Sequence, residues 1–166
     1  HYLIYTDMDL QEDARWKMNP PIRSAEDRAA LVEGIKDGTI DMIATDHAPH
    51  SVEEKSRGLK DSAMGIVGLE TAFAALNTHL VKRGVITLEH LIRIMSDNPR
   101  KVFRIEGGIN IGQRADIVLL DPNKKWTVDS SKFYSMGKIT MFDGKDMVGD
   151  IVMTIHRGKV VYNNMK

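Results

Sequence analysis

The stretch that decides the fold is IDMIATDHAPH, residues 40–50. Its apolar first half has the pattern of a buried strand, and the stretch ends in Asp46, His47 and His50. Pro49 prevents the segment from continuing as a helix, because proline lacks a backbone N–H and clashes with the preceding turn. Enzymes built on parallel strands place their chemistry at strand ends. The stretch therefore predicts a functional site at the end of a strand in an α/β protein.

Side-chain alternation separates these three polar residues. In one strand from Ile40 to Asp46, Ala44 and Asp46 share a face, whereas His47 points the other way. We therefore expect Asp46 and His47 not to bind the same metal ion, and His50 to turn back over the strand end. A carboxylate at the base of a site and an imidazole at its rim can act as general base and anion contact. The spacing is equally compatible with Asp46 capping a turn and both histidines lying in a solvated loop.

The composition is that of an ordinary globular protein. The 166 residues suit one domain, or one domain with a small appendage, and 42% of them are apolar. The 23 basic and 23 acidic residues cancel, so no net field favours nucleic acid or an anionic membrane surface. No apolar run approaches the ~20 residues of a membrane-spanning helix. The lack of cysteine excludes disulfides and thiolate metal sites, and we expect a cytoplasmic protein.

Strands and helices alternate through most of the chain, which is typical of a parallel α/β sheet or barrel. The first predicted elements are a strand at Tyr2–Tyr5, a helix from the N-cap Ser24 to Gly38, and a strand over residues 40–45. Three helices follow: one over residues 69–80, one that begins at the cap Thr87, and one from the N-cap Asn98 to Gly107. A long irregular segment, residues 46–65, separates the second strand from the second helix. Loops of this length are often functional.

The C-terminal part of the chain has an all-β pattern. Residues 115–120 and 126–128 are predicted strands, and two more strands flank Arg157-Gly158, a hairpin signal. Neither part contains enough strands to close a barrel or cover its own edges. The chain also opens on an apolar run without an initiator Met. We therefore expect it to be the C-terminal portion of a longer protein.

Five segments, in family order over nearly the whole chain, resemble dihydroorotases of the amidohydrolase superfamily. The most specific is ATDHAPH at residues 44–50, which with Lys55 resembles the second signature of that family. The others are KMNPPIRSAEDRAAL at residues 17–31, GIVGLETA at 65–72, NPRKVF at 98–103 and GQRADIVLLD at 112–121. One departure is SAMG at residues 62–65, where many relatives have Ala-Pro-Phe-Gly.

The resemblance implies an α/β fold, the C-terminal part of a TIM-like (β/α)8 metal-dependent hydrolase barrel, with the C-terminal strands of a small β-sandwich domain. We expect the barrel part to span residues 1–106 and the sandwich strands to span residues 107–166. The implied reaction is the reversible, zinc-dependent cyclisation of N-carbamoyl-L-aspartate to L-dihydroorotate in de novo pyrimidine biosynthesis.

The resemblance also implies residue roles. Asp46 resembles the aspartate that binds metal and shuttles the proton, Asn19 the substrate-binding asparagine, and His50 the histidine that contacts the substrate carboxylate. The backbone groups implied to line the substrate ring belong to Ala63, Met64 and Gly65. The family's other ligands to its two zinc ions lie upstream of this sequence, so Asp46 is the predicted metal ligand here. We therefore expect this chain to need an N-terminal half for activity.

The remaining candidates receive no catalytic role. His79 and His90 are predicted to be spacers on helices, and His1 is assigned no function. Arg23 and Lys55 are predicted to be salt-bridged loop residues. His47 is either a group that orients Asp46 or a packing residue.

The resemblance leaves two alternatives to a dihydroorotase. One is a related cyclic amidohydrolase, a hydantoinase or an allantoinase, against which the segments around Asn19 and Asp46 speak. The other is a non-catalytic, dihydroorotase-like subunit that scaffolds a partner. The expected partners are the small-molecule substrate, the missing N-terminal half, and a second copy of the chain or an aspartate transcarbamoylase.

Overall fold

The computed structural model describes residues 1–165, which form two compact units. Residues 1–72 and 127–146 make up the first unit. Residues 73–126 and the segment from Met147 onward make up the second. The domain division predicted between residues 106 and 107 remains a prediction. Among the described residues, no helix is both long enough and apolar enough to cross a bilayer.

Helix α1 of the first unit, Ala25–Asp37, begins and ends where the sequence predicts. The Ser24 hydroxyl accepts a hydrogen bond from the Asp27 N–H at 3.2 Å, and the Asp27 carboxylate accepts from the Ser24 N–H at 3.3 Å. This reciprocal cap satisfies two of the donors that a helix start leaves unpaired. Gly38 ends the helix at φ 84°, in the left-handed region that glycine adopts without steric cost.

The two strands predicted in the first unit do not form, and both predictions are wrong. Residues 2–4 make a turn, in which the N–H groups of Ile4 and Tyr5 donate to the His1 carbonyl. Residues 40–46 are partly exposed and form no β-ladder within residues 1–165, and the stretch reaches only an isolated parallel bridge between His47 and Ile66. A strand is stabilised by hydrogen bonds to its neighbours, and within residues 1–165 that bridge is the one β contact made by residues 40–50.

The core of the first unit contains an aromatic cluster. The rings of Tyr5 and Trp16 meet edge to face with centroids 5.0 Å apart, and Phe142 lies 5.7 Å from Tyr5. Such offset and edge-on arrangements are favourable because of the ring quadrupole. Short helical turns at Asp7–Asp9, Ala14–Trp16 and Ser130–Lys132, together with helix α2 at Gly58–Asp61, complete the regular structure of this unit.

The helical elements of the second unit form two longer runs. Helix α3, Ala72–Leu76, continues into a π-helical turn, Asn77–Val81. Helix α4, Leu88–Ile92, begins at the predicted cap, where the Thr87 hydroxyl accepts from the His90 N–H at 3.1 Å. A second π-helical turn and helix α5 follow; these are Arg93–Asp97 and Asn98–Phe103.

The predicted boundaries of α5 are wrong at both ends. Asn98 is not an N-cap, because Asp97 before it already has helical dihedral angles, φ −68° and ψ −46°. Pro99 therefore lies in the first turn of α5 but within a continuous helical run, where the π-helical turn precedes it. The helix ends at Arg104, which adopts φ 54°, three residues before Gly107.

Three strands form one sheet within residues 1–165, in the order β1-β2-β3. They are β1, Ile117–Thr127; β2, Asp146–His156; and β3, Lys159–Asn163. The two strands predicted over residues 115–128 are thus one long strand. The hairpin between β2 and β3 is confirmed, since they pair antiparallel with His156 opposite Lys159. Arg157 and Gly158 turn the chain with φ of 51° and 77°, the positive pair of angles typical of two-residue hairpins.

A fully buried asparagine joins the helices of the second unit to its strands. Asn77, with 0% exposure, donates from its side-chain nitrogen to the carbonyls of Pro122 at 3.0 Å and Val148 at 2.7 Å. The Val148 N–H in turn donates to the Thr78 hydroxyl at 2.8 Å. A buried carbonyl without a donor costs about 1–3 kcal/mol. Asn77 is therefore placed to hold β1 and β2 against the helix that carries it.

We expect Asn77→Leu to lower the free energy of unfolding by about 2–4 kcal/mol, because leucine fills the space but leaves the carbonyls of Pro122 and Val148 without this donor. The control is Lys82→Met at the C-cap of the same helical run, which removes an exposed hydrogen bond to Asn123 and should cost less than about 1 kcal/mol. Denaturant unfolding of the purified variants measures both values. Equal destabilisation by the two substitutions would contradict a structural role for Asn77.

Candidate active site

Asp46 does not lie in an extended strand. Its φ of 52° places it in the left-handed region, which aspartate tolerates better than most residues but which interrupts strand geometry. The predicted alternation of Ala44, Asp46 and His47 is therefore wrong, because side chains alternate only where the backbone stays extended. The separation of Asp46 from His47 nevertheless holds, since the two side chains have different partners.

The Asp46 carboxylate lies beside a tyrosine that also reaches the predicted substrate segment. The Tyr2 hydroxyl is 3.1 Å from Oδ2 of Asp46 and 2.6 Å from the carbonyl of Pro20. Burial, reinforced by the Asp46 charge, raises the pKa of Tyr2, so its hydroxyl keeps a proton for these acceptors. That single proton serves one acceptor at a time. Tyr2 thus connects Asp46 to the Asn19-Pro20 segment.

His1 is a candidate that the sequence did not reveal. Its Nε2 atom is buried, has no hydrogen-bond partner within residues 1–165, and lies 3.9 Å from Oδ2 of Asp46. A buried imidazole nitrogen without a partner normally costs free energy. Imidazole nitrogen and carboxylate oxygen are both common zinc ligands. The pair therefore fits part of a metal site.

The described residues do not complete such a site on their own. Within residues 1–165 there is no group of three or more histidine, cysteine, aspartate or glutamate side chains arranged to hold a metal ion. A structural zinc site takes four protein ligands and a catalytic one takes three. His1 and Asp46 would thus supply two ligands to a metal whose other ligands come from elsewhere.

His47 anchors the backbone behind Asp46. Its Nδ1 atom accepts hydrogen bonds from the N–H groups of Gly68 at 3.1 Å and Leu69 at 3.3 Å. An accepting Nδ1 carries no proton, so a neutral ring here is protonated on Nε2. The parallel bridge to Ile66 lies at the same position. Of the two roles left open for His47, the packing role is the one with visible contacts.

His50 is held by the irregular loop that follows it. Its Nε2 lies 2.9 Å from the Met64 carbonyl, which can only accept, so Nε2 is the donor. Its Nδ1 lies 3.5 Å from a carboxylate oxygen of Glu54. The Glu54 carboxylate also accepts from the Ser51 N–H at 2.8 Å, and this bond holds the pKa of Glu54 below its usual value. His50 and Met64, predicted separately, therefore touch.

The loop also closes onto the segment that precedes Asn19. The Lys17 carbonyl accepts from the Gly65 N–H at 3.0 Å and from the Lys55 ammonium at 3.0 Å, and the same ammonium donates to the Ala63 carbonyl at 2.9 Å. Lys55 is only 5% exposed. The prediction of a salt-bridged loop residue is wrong for Lys55, because the hydrogen-bond partners of its ammonium are backbone carbonyls. It is correct for Arg23, whose guanidinium lies 3.3 Å from Asp27.

The structure thus brings the predicted site residues into one region of the first unit. The Tyr2 hydroxyl lies between the Asp46 carboxylate and the carbonyl of Pro20, the residue after Asn19. The loop backbone at residues 63–65 is linked to Lys17 and to His50. Asn19 itself is exposed and free to face a ligand. Their roles toward substrate and metal remain predictions.

A second loop, residues 133–139, supports this region and was not found from the sequence. The Glu70 carboxylate accepts from the N–H groups of Tyr134 at 2.8 Å and Ser135 at 3.0 Å. A Cβ added to Gly137 would lie 2.8 Å from the Pro49 Cβ and 3.1 Å from the His50 backbone nitrogen. Only glycine allows this approach. The loop therefore packs directly behind His50.

We expect Gly137→Ala to destabilise the protein by about 1–3 kcal/mol, because Pro49 cannot yield without moving the backbone of His50. Met136→Ala, in the same loop and at a residue 97% exposed, is the control and should change stability by less than about 0.5 kcal/mol. Thermal unfolding of both variants gives the comparison. A Gly137→Ala protein as stable as the wild type would refute this tight packing.

Known proteins resemble this chain over nearly its whole length. Relatives from Listeria innocua and Fusobacterium nucleatum, both named dihydroorotase, are 52% and 49% identical over 98% of this chain. The chain spans about 39% of the length of each. Among solved structures, L-hydantoinase (dihydropyrimidinase) from Arthrobacter aurescens matches with a TM-score of 0.90 and 37% sequence identity. The match covers 99% of this chain and 38% of the hydantoinase chain. A D-hydantoinase structure matches with a TM-score of 0.86 and 26% identity.

These likenesses indicate a TIM-barrel-type fold, of which this chain forms a part that carries a small sheet. Dependence on metal is general among the dihydroorotases that the chain resembles. The family model for amidohydrolases matches residues 6–161, nearly the whole sequence. The chain belongs to the amidohydrolase family.

Proposed function

We propose that this chain is the C-terminal portion of a dihydroorotase, which cyclises N-carbamoyl-L-aspartate to L-dihydroorotate and reverses that reaction. The observation that carries the proposal is the identity of about 50% to proteins named dihydroorotase over 98% of the chain. The L-hydantoinase structure, with almost the same backbone, is only 37% identical. The substrate-facing side chains decide between such relatives, because one fold supports many reactions.

The incomplete sheet architecture supports a role as part of a larger polypeptide. The stretch over residues 40–46 is largely apolar yet pairs with no strand within residues 1–165, as expected if parallel strands of a (β/α)8 barrel flank it in the complete protein. The sheet of β1, β2 and β3 presents apolar side chains to solvent, among them Val118 and Val160 at 52% and 55% exposure. We propose residues 1–106 as the barrel part and 107–166 as strands of a β-sandwich that an N-terminal half completes.

His1 and Asp46 are the residues of this chain that would hold zinc. When bound, the metal supplies a Lewis acid and a hydroxide at neutral pH. We propose that the Asp46 carboxylate carries the proton between the attacking water and the ring nitrogen that leaves. When the Tyr2 hydroxyl donates to Oδ2 of Asp46, that bond orients the carboxylate for the transfer.

The remaining predicted residues orient the substrate. Asn19 offers a neutral amide that can donate and accept, which suits a planar ureido group. We propose that the substrate carboxylate replaces the Met64 carbonyl as the acceptor from His50 Nε2, because a carboxylate is the stronger acceptor. The backbone of Ala63, Met64 and Gly65 then lies next to the substrate ring. Such positioning lowers the barrier by removing the need to orient two reactants.

One specific observation favours a second function, hydantoin hydrolysis. The TM-score of 0.90 to L-hydantoinase shows that this part of the backbone is nearly the same in that enzyme. Opening of a hydantoin ring is also the hydrolysis of a cyclic amide, so zinc and Asp46 would serve it equally. Allantoinase chemistry and a non-catalytic scaffold subunit have no such observation in their favour.

The partners and location follow from the proposed activity. We propose that this chain works with its own N-terminal half, in the cytoplasm where a pyrimidine precursor is made. A second copy of the chain and an aspartate transcarbamoylase are the macromolecular partners to test. Nucleic acid and membranes are not proposed, because the charges of the chain balance.

The decisive experiment compares substrates on a polypeptide that restores the full length of the relatives. We expect the kcat/KM for carbamoyl-aspartate cyclisation and dihydroorotate hydrolysis to exceed that for hydantoin or allantoin opening by at least tenfold. The 166-residue chain alone should turn over none of them, because it supplies two metal ligands. Preference for hydantoin would establish the second function, and full activity of the short chain would refute the need for an N-terminal half.

We expect Asp46→Asn in the same full-length protein to lower kcat by about 10³-fold or more, because the amide cannot accept a proton. Asparagine tolerates a positive φ as aspartate does, so the backbone at residue 46 is preserved. Glu53→Gln, an exposed carboxylate of the adjacent loop, is the control and should leave kcat unchanged. Circular dichroism checks the fold. Residual kcat within tenfold of the wild type would refute the proton-carrying role.

A further inference from the structure

Lys55 is the one lysine that the structure buries among residues 1–165, in a loop that is otherwise mostly exposed. Lysine is almost never fully buried unless its ammonium finds partners. Here the ammonium donates to two carbonyls from distant parts of the chain, Lys17 and Ala63. Nothing in the proposed reaction uses this side chain, so its burial needs a separate explanation.

The environment of Lys55 is unfavourable for a charge unless its hydrogen bonds are retained. Burial lowers the pKa of Lys55, the nearby Lys17 ammonium lowers it further, and Asp13 only partly offsets both. Hydrogen bonds that involve a charged donor are roughly twice as strong as neutral ones. The two hydrogen bonds to the Lys17 and Ala63 carbonyls offset the cost of removing the Lys55 ammonium from water. The ammonium therefore holds these two carbonyls close together.

Those acceptors belong to the two segments that carry predicted substrate contacts. Lys17 lies two residues before Asn19, and Ala63 begins the stretch whose backbone is proposed to line the substrate ring. The Lys17 carbonyl also accepts from the Gly65 N–H at 3.0 Å. The same carbonyl therefore fixes both ends of the stretch from residue 63 to residue 65, one end through Lys55 and the other directly.

The backbone groups of this stretch are almost fully paired by the protein. The Ala63 N–H donates to the Glu54 carbonyl at 2.9 Å, its carbonyl accepts from Lys55, and the Met64 carbonyl accepts from His50. Within residues 1–165, the Met64 N–H and the Gly65 carbonyl remain without a hydrogen-bond partner. One donor and one acceptor thus lie on neighbouring residues, of which Met64 is exposed and Gly65 is buried.

We propose that Lys55 is a positioning residue that holds the backbone of residues 63–65 against the Lys17–Asn19 segment and so sets the affinity for substrate. The inference rests on the proposed function, because it assigns the held backbone to the substrate site. A neighbouring donor and acceptor match the N–H and C=O edge of a cyclic amide or ureido group. Lys55 does not touch the reacting atoms, so it acts on binding and not on the chemical step.

The test replaces Lys55 with methionine, which keeps the length and apolar stem of the side chain and removes the ammonium. The matched control is Lys60→Met in helix α2 of the same loop, where the lysine side chain is exposed. Both variants are made in the full-length protein, and KM, kcat and bound zinc are measured with carbamoyl aspartate and dihydroorotate.

We expect Lys55→Met to raise KM at least tenfold while kcat stays within threefold of the wild type and zinc content is unchanged. A loss of binding common to ground state and transition state has this signature. Lys60→Met should match the wild type in all three quantities. A Lys55→Met protein with wild-type KM, or one that loses kcat and zinc with KM unchanged, would overturn the proposal. If Lys55→Met fails to fold, Lys55→Gln, which keeps an N–H donor, is judged by the same KM criterion.

Hydrogen exchange separates this proposal from the proposed function. We expect the peptide that contains residues 63–66 to exchange at least tenfold faster in Lys55→Met than in Lys60→Met, because the Gly65 N–H loses its fixed acceptor geometry. If the wild-type protein turns over neither substrate, the proposed function fails. The exchange rates alone then test whether Lys55 positions the backbone of residues 63–65. Equal exchange in the two variants would then overturn its positioning role.

Discussion

Two segments of the candidate site in the first unit meet at one backbone carbonyl, that of Lys17, which accepts hydrogen bonds from two donors. One is the Gly65 N–H and the other is the Lys55 ammonium, and both belong to a loop that begins some thirty residues later in the chain. A carbonyl oxygen has two lone pairs, so both can be satisfied without competition. The segment before Asn19 and the loop around Met64 are joined at this atom by hydrogen bonds, and helix α2 of the loop also packs against the turn Ala14–Trp16. Loops are usually the mobile parts of a fold, and this one is ordered by buried donors.

Signals that are local in sequence predicted the structure well. The Ser24 and Thr87 caps and the Arg157-Gly158 hairpin turn depend on atoms within four residues, and each forms as expected. Strand predictions failed in the first unit because a strand is a property of two segments, and the apolar pattern over residues 40–45 does not specify its neighbour. The helix boundary at Asn98 failed for a related reason. The Asn98-Pro99 pair is typical of a helix start, but the π-helical turn before it is already helical, so Asn98 is not an N-cap.

The sequence named residues of the candidate site but did not predict how they are arranged. The motifs named Asp46, His50 and the loop at residues 63–65, whereas His1 and Gly137 carry no sequence signal beyond their residue type. A histidine at the start of a chain is ambiguous until its Nε2 atom is seen buried beside a carboxylate. A glycine without a positive φ is ambiguous until the space for its missing Cβ is seen to be filled by Pro49. Both facts arise from tertiary contacts, which periodicity and motif spacing do not contain.

Backbone similarity cannot by itself discriminate between the two candidate reactions. A TM-score of 0.90 to an L-hydantoinase means that the chain path is shared, and both reactions need a carboxylate that can carry a proton.

Discrimination between the two substrates must come from groups that contact the parts in which the substrates differ, above all the carboxylate of carbamoyl aspartate. His50 is the one proposed contact that would bind this carboxylate, and its donor is already aimed by Met64 and constrained by Glu54. A site that holds a donor ready for an anion rejects a neutral ring more strongly than an apolar pocket would, because the neutral ring leaves the donor with a weaker acceptor. Under the proposed function, selectivity for an acidic substrate would therefore follow from how His50 is held by the loop that Lys55 and the Lys17 carbonyl join to the segment before Asn19.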